Sequence, residues 1–289
     1  MTVLVIRKPT NLEQHGEVVR SQVKAGGLSD SHYAQLEKAH QEHYASLEAV
    51  RDQLRSHDLS FVELKRGDMR PSGAFQAIVS VGGDGTLLSA SHSVEGNTPI
   101  IGIRSSNSSV GFLCAGGIDE VPQIFDKFAK GKLDFQERTR IKAKIFKAED
   151  RSGITTFPVL NDFLYTSANP ASTTRYKAFY EGRVEVQKSS GIWVSTATGS
   201  TAAISAAGGC DMDPSDNRLQ FVVRELYQTD QSEPTIQKGT FDGTETILEI
   251  ENHCANGILA LDGERGVIRL RYGDRVAFHR GPGINVAVL

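Results

Sequence analysis

The chain has 289 residues, 39% of them hydrophobic and 23% charged, and its 32 Lys and Arg against 35 Asp and Glu leave a net charge of −3. That length exceeds the ~100–200 residues of a usual single domain, so two cores are expected, and the balanced charge argues against a general binder of nucleic acid or membrane surfaces. Cys114, Cys210 and Cys254 lie far apart with no C-x-x-C pair, which points to neither a disulfide framework nor a zinc ribbon and fits a reducing compartment.

The first residues, MTVLVIRKPT, hold one short apolar run followed by Arg7 and Lys8, whereas a secretory signal carries its charge before a longer apolar core. No stretch reaches the ~20 apolar residues that span a bilayer. A cytoplasmic protein without a leader is the expectation. Residues 3–6 read as a buried strand, and Leu36, Ala39, His43, Leu47, Val50 and Leu54 recur at helical spacing within 31–57. Between them, 25–31 (AGGLSDS) reads as a loop. Residues 61–64 and 77–81 are again strand-like, 87–94 helical, and 98–103 a strand. This β-α-β alternation predicts a parallel sheet covered by helices.

The run VGGDGTLL interrupts that alternation with Gly82, Gly83, Asp84, Gly85 and Thr86. A tight strand-to-helix turn, with Thr86 starting the helix, accounts for the glycines. It does not account for Asp84, a charge at the carboxyl end of a strand, where open α/β sheets bind ligands and where backbone N–H groups meet anions. Beyond residue 104 the texture changes to short alternating β segments, RIKAKIF, KAFYEGRVEVQ, TETILEIEN, GVIRLRYGDRVAFHR and INVAVL, with helical character only at 118–130 and 202–207. A second, mostly antiparallel β domain follows.

Two further runs carry candidate chemistry. In STATGSTAAISAAGG the hydroxyls of Thr198, Ser200 and Thr201 bond a ligand or cap the next helix; in LNDFLYTS, Asn161 and Asp162 suit a nucleoside, the amide reading a base edge and the carboxylate accepting from ribose, or form a turn at a strand end. His253 and Cys254 are neighbours in a strand and point to opposite faces, which opposes a shared metal. The basic run from Lys127 to Lys144 attracts polyphosphates or is a solvated face. No G-x-x-x-x-G-K-[ST] run is present.

Taken in order, VGGDGTLL, TPIIGI…VGFL, LNDFLY, SSGIWVSTATGSTAAISAAGG and LDGERG resemble the NAD kinases, which phosphorylate the 2′-hydroxyl of the adenosine ribose of NAD. The glycine-aspartate run alone is shared with diacylglycerol and sphingosine kinases. TGSTA narrows the resemblance, and QKSSGIWVSTATGS is similar to the mitochondrial-type branch. The resemblance implies an N-terminal α/β domain over 1–104, rejoined by about 277–289, and a C-terminal β domain over 105–276 that binds NAD. It implies ATP and NAD as substrates, Mg²⁺ as the divalent metal, and a homodimer or homotetramer. It makes Asp84 the general base and a ribose contact. Gly82, Gly83, Gly85 and Thr86 would face the triphosphate, and Phe112, Asn161, Asp162, Ser190, Thr198, Thr201 and Ala202 the dinucleotide. A carboxylate is a weak base for an alcohol, so positioning and charge neutralisation carry much of such a reaction.

Departures from the family run are Ser190 for an Asp, Ala197 for a Pro, Ala203 for a Tyr and Arg104 for an Asn, while Asp162 stands for the usual Glu. The first and third touch recognition of the nicotinamide half, and a serine at 190 removes a negative charge from beside a cationic ring. Two other readings stand at this point. One is a kinase of a related acceptor, NADH, another nucleoside or a lipid, of which the lipid version is opposed by the set Asn161, Asp162 and Thr201. A non-catalytic dinucleotide sensor is suggested by Ser190 and Ala203 and opposed by Asp84.

Overall fold

A computed structural model of the chain describes residues 2–68, 74–94, 96–149, 152–228, 234–245 and 247–289. It divides into two compact units, Met1–Gln136 with Ile284–Leu289, and Glu137–Gly283.

The first unit is built on a six-stranded sheet in the order Ser60–Lys65, Thr2–Arg7, Ala77–Gly82, Ile100–Arg104, Ile284–Val288, Asp134–Arg138. The first five run parallel. Ala77–Gly82 is buried throughout and Thr2–Arg7 from its second residue, as central strands covered on both faces must be. The helices Asn11–Lys24 and Asp30–Ser56 cross from the first strand to Ser60–Lys65 on one side, while the chain then returns to Ala77–Gly82 on the other. The strand order therefore reverses between Thr2–Arg7 and Ala77–Gly82, a topological switch point whose carboxyl ends carry Lys8 and Gly83.

The helix Asn11–Lys24 was not expected from apolar spacing. Its start is nonetheless written in Thr10-Asn11-Leu12-Glu13: Thr10 accepts from the Glu13 N–H, and the Glu13 carboxylate accepts from the Thr10 N–H.

The division falls at Gln136 rather than at residue 104. The helix Val121–Ala129, with a Pro in its first turn, buries Val121, Ile124, Phe125 and Phe128 among Leu47, Val50, Leu54 and the sheet residues Val3, Val79 and Ile101, so these residues belong to the first core. The C-terminal return likewise begins at Ile284 rather than near 277, because Arg275–Arg280 pairs with Ile141–Phe146 and Leu248–Asn252 in the second unit.

That second unit consists of two six-stranded sheets. One runs Arg183–Ser189, Thr174–Tyr180, Leu248–Asn252, Arg275–Arg280, Ile141–Phe146, Gly153–Thr155; the other runs Lys238–Phe241, Leu219–Arg224, Gly191–Ser195, Asp162–Ser167, Gly257–Leu261, Gly266–Leu270. Their pairings are antiparallel, and alternation along Ile141–Phe146 and Thr174–Tyr180 sends every second side chain into a core of Phe163, Tyr165, Phe221, Phe278 and their neighbours. Buried tyrosines keep their hydroxyls bonded: Tyr165 donates to Asn252 Oδ1 at 2.8 Å and Tyr176 to Gln187 Oε1 at 2.9 Å. Residue 246, inside the strand-like run from 244, lies outside the described residues.

Candidate active site

In the first unit the glycine run follows Ala77–Gly82 directly. The helix Asp84–Ser91 begins at Asp84 with Gly83 as its N-cap, so Thr86 is its third residue, buried, rather than its start. A Cβ at Gly82 would overlap the Thr86 hydroxyl, and one at Gly83 would stand 2.6 Å from the Val110 carbonyl oxygen. Both glycines are therefore demanded by close approach. Asp84 donates its N–H to that same Val110 carbonyl at 3.0 Å, and its carboxylate accepts from the N–H of Phe112 at 3.1 Å and of Leu113 at 2.9 Å. The half-buried carboxylate is thereby fixed by backbone at the positive end of a helix. Phe112 supplies a backbone donor here, and its ring is 88% exposed. The nearby Cys114 thiol is pushed up to about 12, first by burial and then by the Asp84 charge, and is not a nucleophile at neutral pH.

In the second unit, Asn161 and Asp162 stand where the chain enters the strand Asp162–Ser167. The Asp262 carboxylate accepts three backbone N–H groups there, from Leu160 at 3.1 Å, Asn161 at 2.8 Å and Asp162 at 3.2 Å, and the Asp262 N–H returns a bond to the Asp162 carbonyl. On the other side, Thr196 donates to the Leu160 carbonyl and accepts from the Gly199 N–H, and Ser195 Oγ donates to the Asn161 carbonyl. The short 3-10 turn Thr198–Thr201 is thus pinned against Asn161, with Thr201 exposed and Thr198 and Ala202 partly so. Among the described residues, Asn161 Oδ1 is buried with no partner. Burial, and secondarily the charge of Asp262, raises the Asp162 carboxyl to about 7 against a smaller pull from Arg265.

The predicted residues therefore fall into two sets. Gly82, Gly83, Asp84, Gly85, Thr86 and Phe112 belong to the first unit, and Asn161, Asp162, Thr198, Thr201 and Ala202 gather in the second. Ser190 joins neither. It precedes the strand Gly191–Ser195, whose far end carries Ser195 and Thr196, so five residues at ~3.3 Å each put it roughly 16 Å from that cluster. Ser190 is tied instead to Arg224, whose carbonyl accepts its N–H at 2.9 Å. Sequence reasoning did not single out Thr196 or Asp262. The signal available for the latter was an Asp-Gly pair ending a strand; Asp262 takes a φ of 47° there, which Asp tolerates better than most residues. No group of three or more potential metal ligands occurs among the described residues.

Residues 7–133 match the family described as ATP-NAD kinase N-terminal domain. The NAD kinase of Clostridium tetani (strain Massachusetts / E88) is 30% identical over 230 residues, which are 75% of this chain and 77% of that protein. A probable NADH kinase of Oryza sativa subsp. japonica is 28% identical over 255 residues, 80% of this chain and 77% of that one. Among solved structures, yeast NADH kinase complexed with NADH superposes with a TM-score of 0.74 at 17% identity, covering 100% of this chain and 83% of that chain, a likeness of fold. Fold and relatives define a phosphotransferase, consistent with a glycine turn that presents one fixed carboxylate. The chain belongs to the NAD kinase family, whose substrates are ATP and NAD(H).

Proposed function

We propose that the chain transfers the terminal phosphoryl group of ATP to the 2′-hydroxyl of the adenosine ribose of NAD, producing NADP and ADP. The observation that supports this most is the Asp84 carboxylate, held on the Phe112 and Leu113 N–H groups at the first residue of a helix. In the step, the 2′-oxygen forms a bond to phosphorus, the bond from that phosphorus to the bridging oxygen of ADP breaks, and the hydroxyl proton passes to Asp84. Because the base is weak, the turn contributes mainly by orienting the hydroxyl and by backbone N–H groups that offset phosphate charge. Asn161 Oδ1, buried and without a partner among the described residues, suits the amino group of adenine, and Asp162, once ionised, accepts from a ribose hydroxyl.

The donor set fits a magnesium ion carried mostly by the substrate's own phosphates, with Asp84 the carboxylate at the turn and no protein cage of three ligands among the described residues. Such an ion would supply neutralisation of the charge that develops on the transferring group. NADP formation from NAD, ATP and Mg²⁺ by the wild type, with loss of product in Asp84→Asn, is the expected result. Binding of NAD without turnover would replace the enzyme with a sensor.

A second reading, NADH as the acceptor, is favoured by Ser190, where the family run has an acid, and by relatives named as NADH kinases. Running NADH beside NAD in the same assay separates the two. The family resemblance also suggests a homodimer or homotetramer, which light scattering on the purified protein tests.

A further inference from the structure

The turn that follows the strand Gly257–Leu261 brings a third charge to the corner where Asp162 and Asp262 meet. Asp262 and Gly263 have φ of 47° and 75°, two left-handed residues in a row, as the tightest hairpin turns require and as the pair Asp-Gly favours. Leu261 bridges Glu264 across this turn, and the chain returns as Gly266–Leu270, antiparallel to the strand it left. So sharp a reversal lays Arg265 back on the turn itself. Its Nη1 donates to the Asp262 carbonyl and stands 3.4 Å from where a Cβ on Gly263 would be. The guanidinium is therefore held on the same residue whose carboxylate gathers the N–H groups of Leu160, Asn161 and Asp162.

The two acids of this corner are served unequally. Asp262 has its three N–H donors, whereas among the described residues the Asp162 carboxyl has no hydrogen-bond partner, although the residue is only 5% exposed. Burial and the Asp262 charge hold the proton on Asp162, and Arg265 pulls the other way. The remaining elements at this corner bring hydroxyls and no charge: Ser195 and Thr196 from the end of Gly191–Ser195, and Thr198 and Thr201 from the 3-10 turn. Glu264, on the same hairpin turn, is exposed. The turn does not require an arginine, since Asp-Gly forms it unaided and any donor could serve the Asp262 carbonyl. What a cation adds is a favourable potential for a second negative charge beside Asp262.

We propose that Arg265 is a positioning residue for the acceptor: it lets the Asp162 carboxyl give up its proton when a ribose hydroxyl comes to donate to it. The O–H bond of the acid breaks, its proton leaves to solvent, and the carboxylate that remains accepts the hydrogen bond of the sugar. Binding of a ribonucleoside acceptor is thereby coupled to the release of up to one proton per chain. Arg265 sets the pH at which that coupling fades, without itself touching the sugar. The inference rests on the reading of NAD as the acceptor given above.

The test uses the full chain in three arms, with Arg265→Gln as the variant because the amide keeps a donor for the Asp262 carbonyl and loses only the charge. The first arm needs neither NAD nor turnover. The difference in unfolding free energy between a protein and its Asp162→Asn counterpart is followed against pH, in the wild-type and the Arg265→Gln backgrounds. The pH at which that difference levels off should move up by about half a pH unit or more in Arg265→Gln, the low end of what an opposite charge does to a nearby carboxyl. Arg265→Lys should restore it, and a purely structural role would shift stability equally at every pH. If the glutamine variant does not fold, Arg265→Met, which keeps the apolar stem over Gly263, gives the same reading. In the second arm, calorimetry of NAD binding in two buffers of different ionisation enthalpy should show release approaching one proton at about pH 6, none at about pH 9, and none at either in Asp162→Asn. In the kinetic arm, Arg265→Gln should raise the KM for NAD about twofold near pH 7 and leave it unchanged at about pH 9, with kcat unaltered. An unmoved levelling point in the folded variants, or no proton release by the wild type at about pH 6, overturns the proposal. Absence of NADP formation by the wild type, with the unfolding and calorimetric arms as expected, would instead overturn the kinase reading and spare the role of Arg265 in dinucleotide binding.

Discussion

Asp84 and Asp162 are both acids at the end of a strand, yet their surroundings are built in opposite ways. Asp84 is half-buried, and everything that fixes it lies within thirty residues: two glycines at which an added Cβ would clash with Thr86 or the Val110 carbonyl, a helix start, and the N–H groups of Phe112 and Leu113. Asp162 is 5% exposed, and its corner is fixed by Asp262, which follows it by a hundred residues and accepts three of its backbone donors. A site made of backbone geometry is compact in sequence, whereas a site made of strand ends depends on which strands the sheet brings together. The first kind is expected to fail in chemistry when altered, and the second in folding and proton affinity.

The largest effect should come from Asp84→Asn. The amide keeps one acceptor for the loop N–H groups but loses the proton acceptor, so kcat should fall by ~10²–10⁴ with little change in the unfolding midpoint. A variant that loses stability and activity in equal measure would mean that Asp84 is mainly a staple for the loop. Asp262→Ala is the counterpart in the second unit. It leaves the N–H groups of Leu160, Asn161 and Asp162 without their acceptor, each costing ~1–3 kcal/mol, so a loss of about 3 kcal/mol or more is expected in urea unfolding. A loss under about 1 kcal/mol would show that water or a shifted backbone replaces Asp262 at little cost.

The pH dependence sharpens the same contrast. Asp162 has its carboxyl raised from 3.8 to about 7, first by burial and then by the Asp262 charge, so the native state holds this proton more tightly than the unfolded chain. Its contribution to stability is full below about 4, is lost progressively as pH rises toward 7, and changes no further above that. The difference in unfolding free energy between wild type and Asp162→Asn, followed across that interval, should slope in this sense, and a flat difference would place the proton elsewhere. The KM for NAD should rise below pH 7 in the wild type as the acceptor for the ribose hydroxyl becomes protonated.

How much of this was legible follows the same division. The parallel sheet, the long helix ending at Ser56 and the glycine turn could be read because each is carried by a continuous run of residues. Asp262 could not, since nothing in LDGERG says that its strand lies beside Asp162–Ser167; that neighbourhood is a product of sheet order. The division of the chain was misplaced because Val121–Ala129 looks like any amphipathic helix, and only packing shows which core takes its apolar face. Gly82→Ala measures how strictly the legible part is drawn: the added methyl meets Thr86, on the opening turn of the helix, and should cost ~1–3 kcal/mol in thermal or urea unfolding. A cost near zero would mean that Thr86 rotates away freely.

The smallest expected effect concerns Ser190, the predicted residue that the fold leaves apart from both sets. Its carbonyl accepts from Thr166 at 3.0 Å and from Arg224 Nη1 at 3.4 Å, so an acid introduced there meets an arginine that offsets part of its charge. Two unit charges ~4 Å apart in water interact by ~1 kcal/mol, which bounds the gain for a cationic nicotinamide at about fivefold and makes about threefold a realistic expectation for Ser190→Asp. The measurement is the ratio of kcat/KM for NAD to that for NADH. A rise in that ratio would mean that the end of the strand Gly191–Ser195 remote from Thr196 is nonetheless close to the nicotinamide of a bound dinucleotide. Since that end stands roughly 16 Å from the Asn161 cluster, the dinucleotide would then be extended, or its nicotinamide half would be met by Ser190 of another copy of the chain. Mixing Ser190→Asp protein with an inactive Asp84→Asn protein separates the two, because only the second geometry lets one chain change the selectivity of another.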